Sequence, residues 1–139
     1  MAQRPEPLVL SLLRGLWAVC RLHPESAVPA WAEGGVFFSA TRSPEELSIV
    51  CEDAAVPEAV KAEKGWALLK LDGPVPFDAI GVLSALTAPL AEAGIPVFAI
   101  STFDTDYLLV KVDRFGDAAA VLRKAGIEVR GKPEGNSSP

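Results

Sequence analysis

The side chains best suited to chemistry lie together in one short segment, "STFDTD", at residues 101–106. The segment interrupts a hydrophobic strand pair with hydroxyls, an aromatic ring and two carboxylates. Asp104 and Asp106 are two positions apart, and such a pair could serve acid–base catalysis or hold a cation. Asp also hydrogen-bonds its own backbone in turns, so turn capping is the alternative for both carboxylates. Because a turn alone does not require this mixture, we predict that the segment faces a small ligand.

The rest of the chain does not predict catalysis. His23 is the only histidine and precedes Pro24 in a predicted turn, which makes it a poor general base. The sequence has no phosphate-binding glycine loop and no cluster of metal-ligating residue types. We therefore expect no enzyme, no catalytic residue, no cofactor and no metal site, with a carboxylate-based or metal-dependent activity left open. Cys20 and Cys51 lie in apolar runs and are expected to be buried, reduced thiols.

A second candidate region is the start of a predicted helix at residues 77–81, "FDAIG". The first amides of a helix have no partner within it, and this positive end can bind an anion such as a carboxylate. Asp78 could instead cap those amides. Gly81 inside a helix costs roughly 1 kcal/mol relative to Ala, so it indicates close approach of a backbone or a ligand.

From residue 66 onward the hydrophobic pattern predicts strand, helix, strand, strand, helix, strand. The predicted elements are strands at 66–71, 95–100, 107–112 and 127–129 and helices from about 78 to 93 and over 113–125. This order is that of the α+β ferredoxin-like βαββαβ unit. In that topology the helix start and the 101–106 segment are neighbours. An α-amino acid could then place its carboxylate on the amides and its ammonium on Asp106 or Asp78.

The first half resembles the second with its long helix missing. "GLWAVCRL" at 15–22 aligns with "KGWALLKL" at 64–71, and residues 37–53 align with 99–113. Strands are predicted at 8–13 and 16–22, as a hairpin, and at 36–40 and 47–51, with a helical turn at 30–33 and a short helix at 56–63. We interpret residues 1–62 as a degenerate copy of 63–130, with 8–13 as its fourth strand and 131–139 as a disordered tail; chance similarity is the alternative.

Composition excludes several classes of partner. The formal net charge is −5, and the basic residues are scattered, which argues against nucleic-acid binding. No apolar run is long enough to span a membrane, and residues 1–13 do not have the pattern of a secretory signal. We expect a cytoplasmic protein.

Residues 73–113, from "GPVPFDAIG" to "STFDTDYLLVKVD", strongly resemble the ACT regulatory domains of the aspartokinase-like and CASTOR-type subgroup. "GGVFFSATRSPEELSIVCED", at 34–53, resembles the degenerate first ACT repeat of that subgroup. The resemblance implies a tandem ACT protein that binds an amino acid and forms homodimers through sheet or helix edges. Matching to the family implies ligand contacts at Pro76, Phe77, Ala79, Val82, Pro96, Val97, Thr102, Phe103 and Asp106, with Asp78 as a further candidate.

Two residues depart from the family pattern. Arginine-sensing members have an acidic side chain where this chain has Ala79, and Pro96 removes one backbone N–H that could hold a carboxylate. The expected function is an amino-acid-binding regulatory module without catalysis of its own. The alternative is a ligand-free ACT-type dimerisation module whose site is filled by Phe77 and Phe103.

Overall fold

The computed structural model describes residues 6–133, so most of the predicted disordered tail, residues 134–139, lies outside the described residues. The chain forms an α+β structure, as predicted. Its strands and α-helices are β1 Val9–Leu12, β2 Trp17–Leu22, β3 Ser39–Arg42, β4 Leu47–Glu52, β5 Lys61–Leu71, α1 Val82–Glu92, β6 Phe98–Ser101, β7 Asp106–Lys111, α2 Phe115–Lys124 and β8 Glu128–Arg130.

The described residues form two compact units. The strand unit comprises residues 15–66, and the helical unit comprises residues 6–14 together with 67–133. The boundary in sequence falls inside β5, between Trp66 and Ala67. The predicted division into residues 1–62 and 63–130 placed the N-terminal strand with the first half, whereas β1 belongs to the helical unit.

The helical unit contains the predicted βαββαβ order, with one additional strand in its sheet. The strands lie in the order β6, β7, β5, β1, β8. β1 is antiparallel to β5, with Leu10 opposite Leu71, and parallel to β8, with Leu10 opposite Val129. The predicted hairpin between 8–13 and 16–22 is therefore wrong. β1 pairs on both of its edges inside the helical unit, and Leu8 and Leu10 are buried in that unit's core.

One hydrophobic core holds the helices against the strands. Leu86, Leu90 and Leu122 are fully buried on the helices, and they share a core cluster with Leu69 and Leu108 of the sheet. Burying each leucine contributes about 1.5–3 kcal/mol. Of the apolar residues whose three- and four-residue spacing predicted this face, Val82, Leu86 and Leu90 are buried, whereas Leu83 is 38% exposed and Ala79 precedes the helix.

The start of α1 differs from the prediction. The helix begins at Val82, and Gly81 is its N-cap residue with φ 80°. That backbone conformation is strained for residues with a Cβ atom, which explains glycine at this position. The interpretation of Gly81 as a residue inside the helix is wrong, and residues 77–80 form a loop in place of a first helical turn.

The strand unit has the order β3, β4, β2, followed by the first part of β5. Cys20 lies opposite Ile49, and Cys51 lies opposite Ala18. Both thiols are free and buried, as predicted. Burial raises the pKa of Cys51 to about 12. It also raises the pKa of Cys20.

The predicted helix at 56–63 is wrong. β5 begins at Lys61, and Ala62 lies opposite Cys20 of β2. Inter-strand hydrogen bonding in this register overrides the local helical pattern, because propensity is a weak prior against tertiary pairing. The predicted helical turn at 30–33 is confirmed as a 3-10 turn at Ala30–Ala32.

Candidate functional site

A groove of about 410 Å³ opens in the helical unit between the loop after β5, the first turn of α1 and the β6–β7 turn. Most of the expected ligand contacts line it, namely Pro76, Phe77, Ala79, Val82, Thr102, Phe103 and Asp106. Other lining residues were not among the expected contacts. Val75, Leu83 and Ser84 were not considered as contacts, whereas Gly81, Ser101, Asp104 and Thr105 lie in the two candidate segments but were not chosen.

Three expected residues do not line the groove. Pro96 and Val97 precede β6, whereas the groove lies beside Ser101 at the other end of that strand. Val97 packs against the hydrophobic core instead. Asp78 is exposed in the loop before α1 and does not cap the helix, because the helix begins after Gly81.

The hydroxyls of the 101–106 segment mainly build the turn. The Thr102 amide donates to the Thr105 carbonyl at 2.8 Å, and the Thr105 amide donates back to Thr102 Oγ1 at 3.3 Å. Thr105 is only 6% exposed, and its hydroxyl donates to the Leu71 carbonyl at 2.7 Å. The turn is therefore closed on itself and attached to the end of β5.

Two contacts hold the loop against this turn. The Val75 amide donates to the Asp104 carbonyl at 2.9 Å. The rings of Phe77 and Phe103 lie with centroids 5.3 Å apart and planes inclined by 32°. Aromatic pairs of this kind contribute about 0.5–1.5 kcal/mol beyond the area that they bury. The two rings nevertheless remain 78% and 79% exposed, so they stand at the edge of the groove and do not fill it.

The first turn of α1 forms another wall. Val82, Leu83 and Ser84 all line the groove, and the first intrahelical hydrogen bond runs from the Ala85 amide to the Gly81 carbonyl. Among the described residues no side chain caps this helix end. The first amides of a helix carry roughly half a positive charge, which suits a carboxylate.

The carboxylates supply the opposite charge. Asp106 is half-buried beside the groove and accepts a hydrogen bond from the Ser101 hydroxyl, its partner in the β6–β7 register. Asp104 also lines the groove and is exposed. The groove lining includes no lysine, arginine or histidine among the described residues. The arrangement can therefore hold a molecule with a positive and a negative group.

Within residues 6–133 no group of three His, Cys, Asp or Glu side chains is arranged to hold a metal ion. Neither of the α-helices found there has the length and apolar character needed to cross a bilayer.

Comparison with known proteins identifies the family. A family model described as "ACT domain" matches residues 61–124, and a second model, for an N-terminal domain, matches residues 15–59. A structural-genomics protein from Agobacterium tumefaciens is 37% identical; the alignment covers 97% of this chain and 99% of that one, with a TM-score of 0.86. Residues 61–124 of this chain form an ACT domain.

Two further proteins that this ACT protein resembles carry functional names. The human "Cytosolic arginine sensor for mTORC1 subunit 1" is 37% identical over 60 residues, which are 42% of this chain and 18% of the sensor. The match thus spans less than a fifth of that curated relative. The regulatory subunit of aspartate kinase from Thermus thermophilus has a TM-score of 0.55 at 9% identity, covering 81% of this chain and 93% of the subunit. At that identity the likeness is one of fold.

Proposed function

We propose that this ACT protein is a regulatory module that binds a free amino acid in the groove and has no catalysis of its own. The observation that carries the proposal is that the first turn of α1, which no described side chain caps, and the Asp106 carboxylate line the same groove. An α-amino acid has a carboxylate for the helix amides and an ammonium for Asp106. Charge-assisted hydrogen bonds of this kind are about twice as strong as neutral ones.

The names of the relatives support the regulatory part of the proposal. One is called an arginine sensor and another the regulatory subunit of aspartate kinase. By extension, the ligand of this chain would bias an assembly or a partner contact, and such coupling typically amounts to about 1–3 kcal/mol. A cytoplasmic location and a homodimer formed through sheet or helix edges belong to the same proposal.

The alternative is a ligand-free dimerisation module, in which Phe77 and Phe103 would fill the site. Their exposures of 78% and 79% favour the ligand-binding function, because the rings leave the groove open. An interaction module is the second candidate. In such a module the exposed rings would form part of the contact surface.

A thermal-shift screen of the amino acids, followed by calorimetry, tests the proposal. At a hundred times its dissociation constant, a true ligand adds about 2.7 kcal/mol of stability. The Asp106→Asn variant should keep the fold and lose the shift, and Asp78→Asn, outside the groove, should retain it. If all amino acids leave both the melting temperature and the calorimetric baseline unchanged, the dimerisation module becomes the better account.

A further inference from the structure

We propose that the groove selects neutral amino acids with large apolar side chains, such as leucine or phenylalanine, and that Phe77 and Phe103 form the wall that recognises the side chain. This inference rests on the proposed function, because it assumes that an amino acid binds here through its ammonium and carboxylate groups. It adds the chemical class of the ligand's side chain.

The charges of the groove disfavour acidic ligands. Asp104 and Asp106 both line it, and its described lining residues include no basic side chain. Only one carboxylate is needed to hold the ligand's ammonium. The side chain of aspartate or glutamate would bring a further carboxylate into the groove without a cation to neutralise it.

The aromatic pair favours an apolar side chain. Phe77 and Phe103 leave most of their ring surface in water, although their rings lie only 5.3 Å apart. Ala79, Val82 and Leu83 add further apolar lining. A large apolar side chain laid against this wall would remove the exposed surface from water, which is the main driving force for association of apolar groups. Serine or glycine would leave the wall uncovered.

A basic side chain gains less from the same surroundings. Asp104 is exposed, so its charge is hydrated and screened by salt. Asp106 is the half-buried carboxylate, and it already accepts the Ser101 hydroxyl and would hold the ligand's ammonium. Lysine or arginine would have to give up hydration for a cation–π contact with the phenyl rings, and phenylalanine is a weaker partner for cations than tryptophan.

The wall is held in place before a ligand arrives. Phe103 lies inside the turn closed by Thr102 and Thr105. Phe77 lies in the loop fixed by the hydrogen bond from Val75 to Asp104. Preorganisation of this kind lowers the entropic cost of binding, so contacts with the rings contribute directly to selectivity.

Calorimetry on the full chain with leucine, phenylalanine, alanine, glutamate, lysine and arginine tests the inference. Leucine and phenylalanine should bind about tenfold or more tightly than alanine. Glutamate should give no heat of binding, and lysine and arginine should bind more weakly than leucine. Phe103→Ala and Phe77→Ala should each reduce leucine affinity by about tenfold while changing alanine affinity by less than about twofold.

Ile80→Ala is the matched control, because Ile80 is 69% exposed in the same loop and does not line the groove. Its leucine affinity should equal that of the wild type. Tighter binding of lysine, arginine or glutamate than of leucine would overturn the selectivity while leaving the proposed function intact. Equal leucine affinity in the wild type and both phenylalanine variants would overturn the role of the rings. Absence of binding by every amino acid to a cooperatively melting chain would overturn the proposed function as well.

Discussion

The backbone amide of Val75 donates a hydrogen bond to the carbonyl oxygen of Asp104 at 2.9 Å, and this bond joins the loop after β5 to the β6–β7 turn. Residues far apart in sequence thereby form two adjacent walls of one groove. Gly73 permits the approach, since a Cβ atom there would lie 3.0 Å from the Val75 nitrogen and 3.5 Å from the Asp104 oxygen. The shape of the candidate site therefore depends on backbone contacts as much as on its side chains.

Replacing Gly81 by alanine should destabilise the protein by about 1–2 kcal/mol, because φ 80° is strained for a residue with a Cβ atom. The change should also weaken amino-acid binding, since Gly81 sets the direction of the first turn of α1. Urea denaturation measures the first effect and calorimetry the second. Gly116→Ala is the control: Gly116 lies in α2 with open space around it and should gain about 0.5–1 kcal/mol of stability. Equal effects at the two positions would contradict the assignment of Gly81 as the N-cap residue.

Thr105→Val should cost about 1–3 kcal/mol, because it leaves the Leu71 carbonyl without the hydroxyl that donates to it at 2.7 Å in a buried position. The same substitution at Thr87 is the comparison. The Thr87 hydroxyl donates to the Leu83 carbonyl at 3.0 Å on the exposed side of α1, where water can replace it, so Thr87→Val should change stability by less than about 0.5 kcal/mol. Chemical denaturation of both variants decides whether the hydroxyl of Thr105 fixes the turn.

Stability should fall at alkaline pH because of Cys51. Burial raises its pKa from the ordinary value of 9.0 to about 12 in the folded chain. Between these values the unfolded thiol releases a proton that the folded thiol retains, so the free energy of unfolding decreases as pH rises. Cys51→Ala should flatten this dependence between pH 9 and 12. Denaturation curves at a series of pH values provide the measurement, and an unchanged slope in the variant would show that other groups cause the loss.

Leu10→Ala should destabilise the chain by about 2–5 kcal/mol, because Leu10 is fully buried on β1 within the core of the helical unit. Leu16→Ala, at a position 42% exposed, should cost less than about 0.5 kcal/mol. Equilibrium denaturation of the two variants tests the position of β1. A small effect at Leu10 would mean that β1 is not a stable part of the sheet.

The elements of the helical unit were predicted from the sequence more accurately than their ends. The spacing of Val82, Leu86 and Leu90 identified α1 and its buried face, because apolar residues at three- and four-residue steps are typical of a helix packed on one side. The start of the helix was missed because Asp78 has the residue type of an N-cap. The helix begins after Gly81 because tertiary contacts hold the preceding loop. Such contacts leave no local signal in the sequence.

The residues of the candidate site were also predicted only in part. Phe103 and Asp106 were identified from the mixture of residue types in the 101–106 segment, and Phe77 was identified from the resemblance to the ACT domains. All three line the groove. Ser101 and Leu83 were missed because their roles depend on the register of β6 and on the true start of α1. That Pro96 and Val97 lie away from the groove follows from the position of β6, which begins at Phe98.

The strand pairing of the first half was the least predictable part. Trp17 and Trp66 were aligned as equivalent positions of a repeat, and in the structure they are direct partners across β2 and β5. That juxtaposition neither requires nor excludes a repeat, so the degenerate-copy interpretation stays a prediction. Strands that are consecutive in the sequence were expected to pair with each other, and this expectation produced the wrong hairpin for β1.

The position of β1 has a consequence for biosynthesis. Residues 9–12 pair with residues 69–71 and with residues 128–130, which follow much later in the chain. The sheet of the helical unit therefore cannot close until residue 130 has left the ribosome, and until then β1 lacks its pairing with β8. Long-range pairing of this kind slows folding and leaves strand edges open to aggregation, so the edge of β1 that pairs with β8 is exposed during this interval.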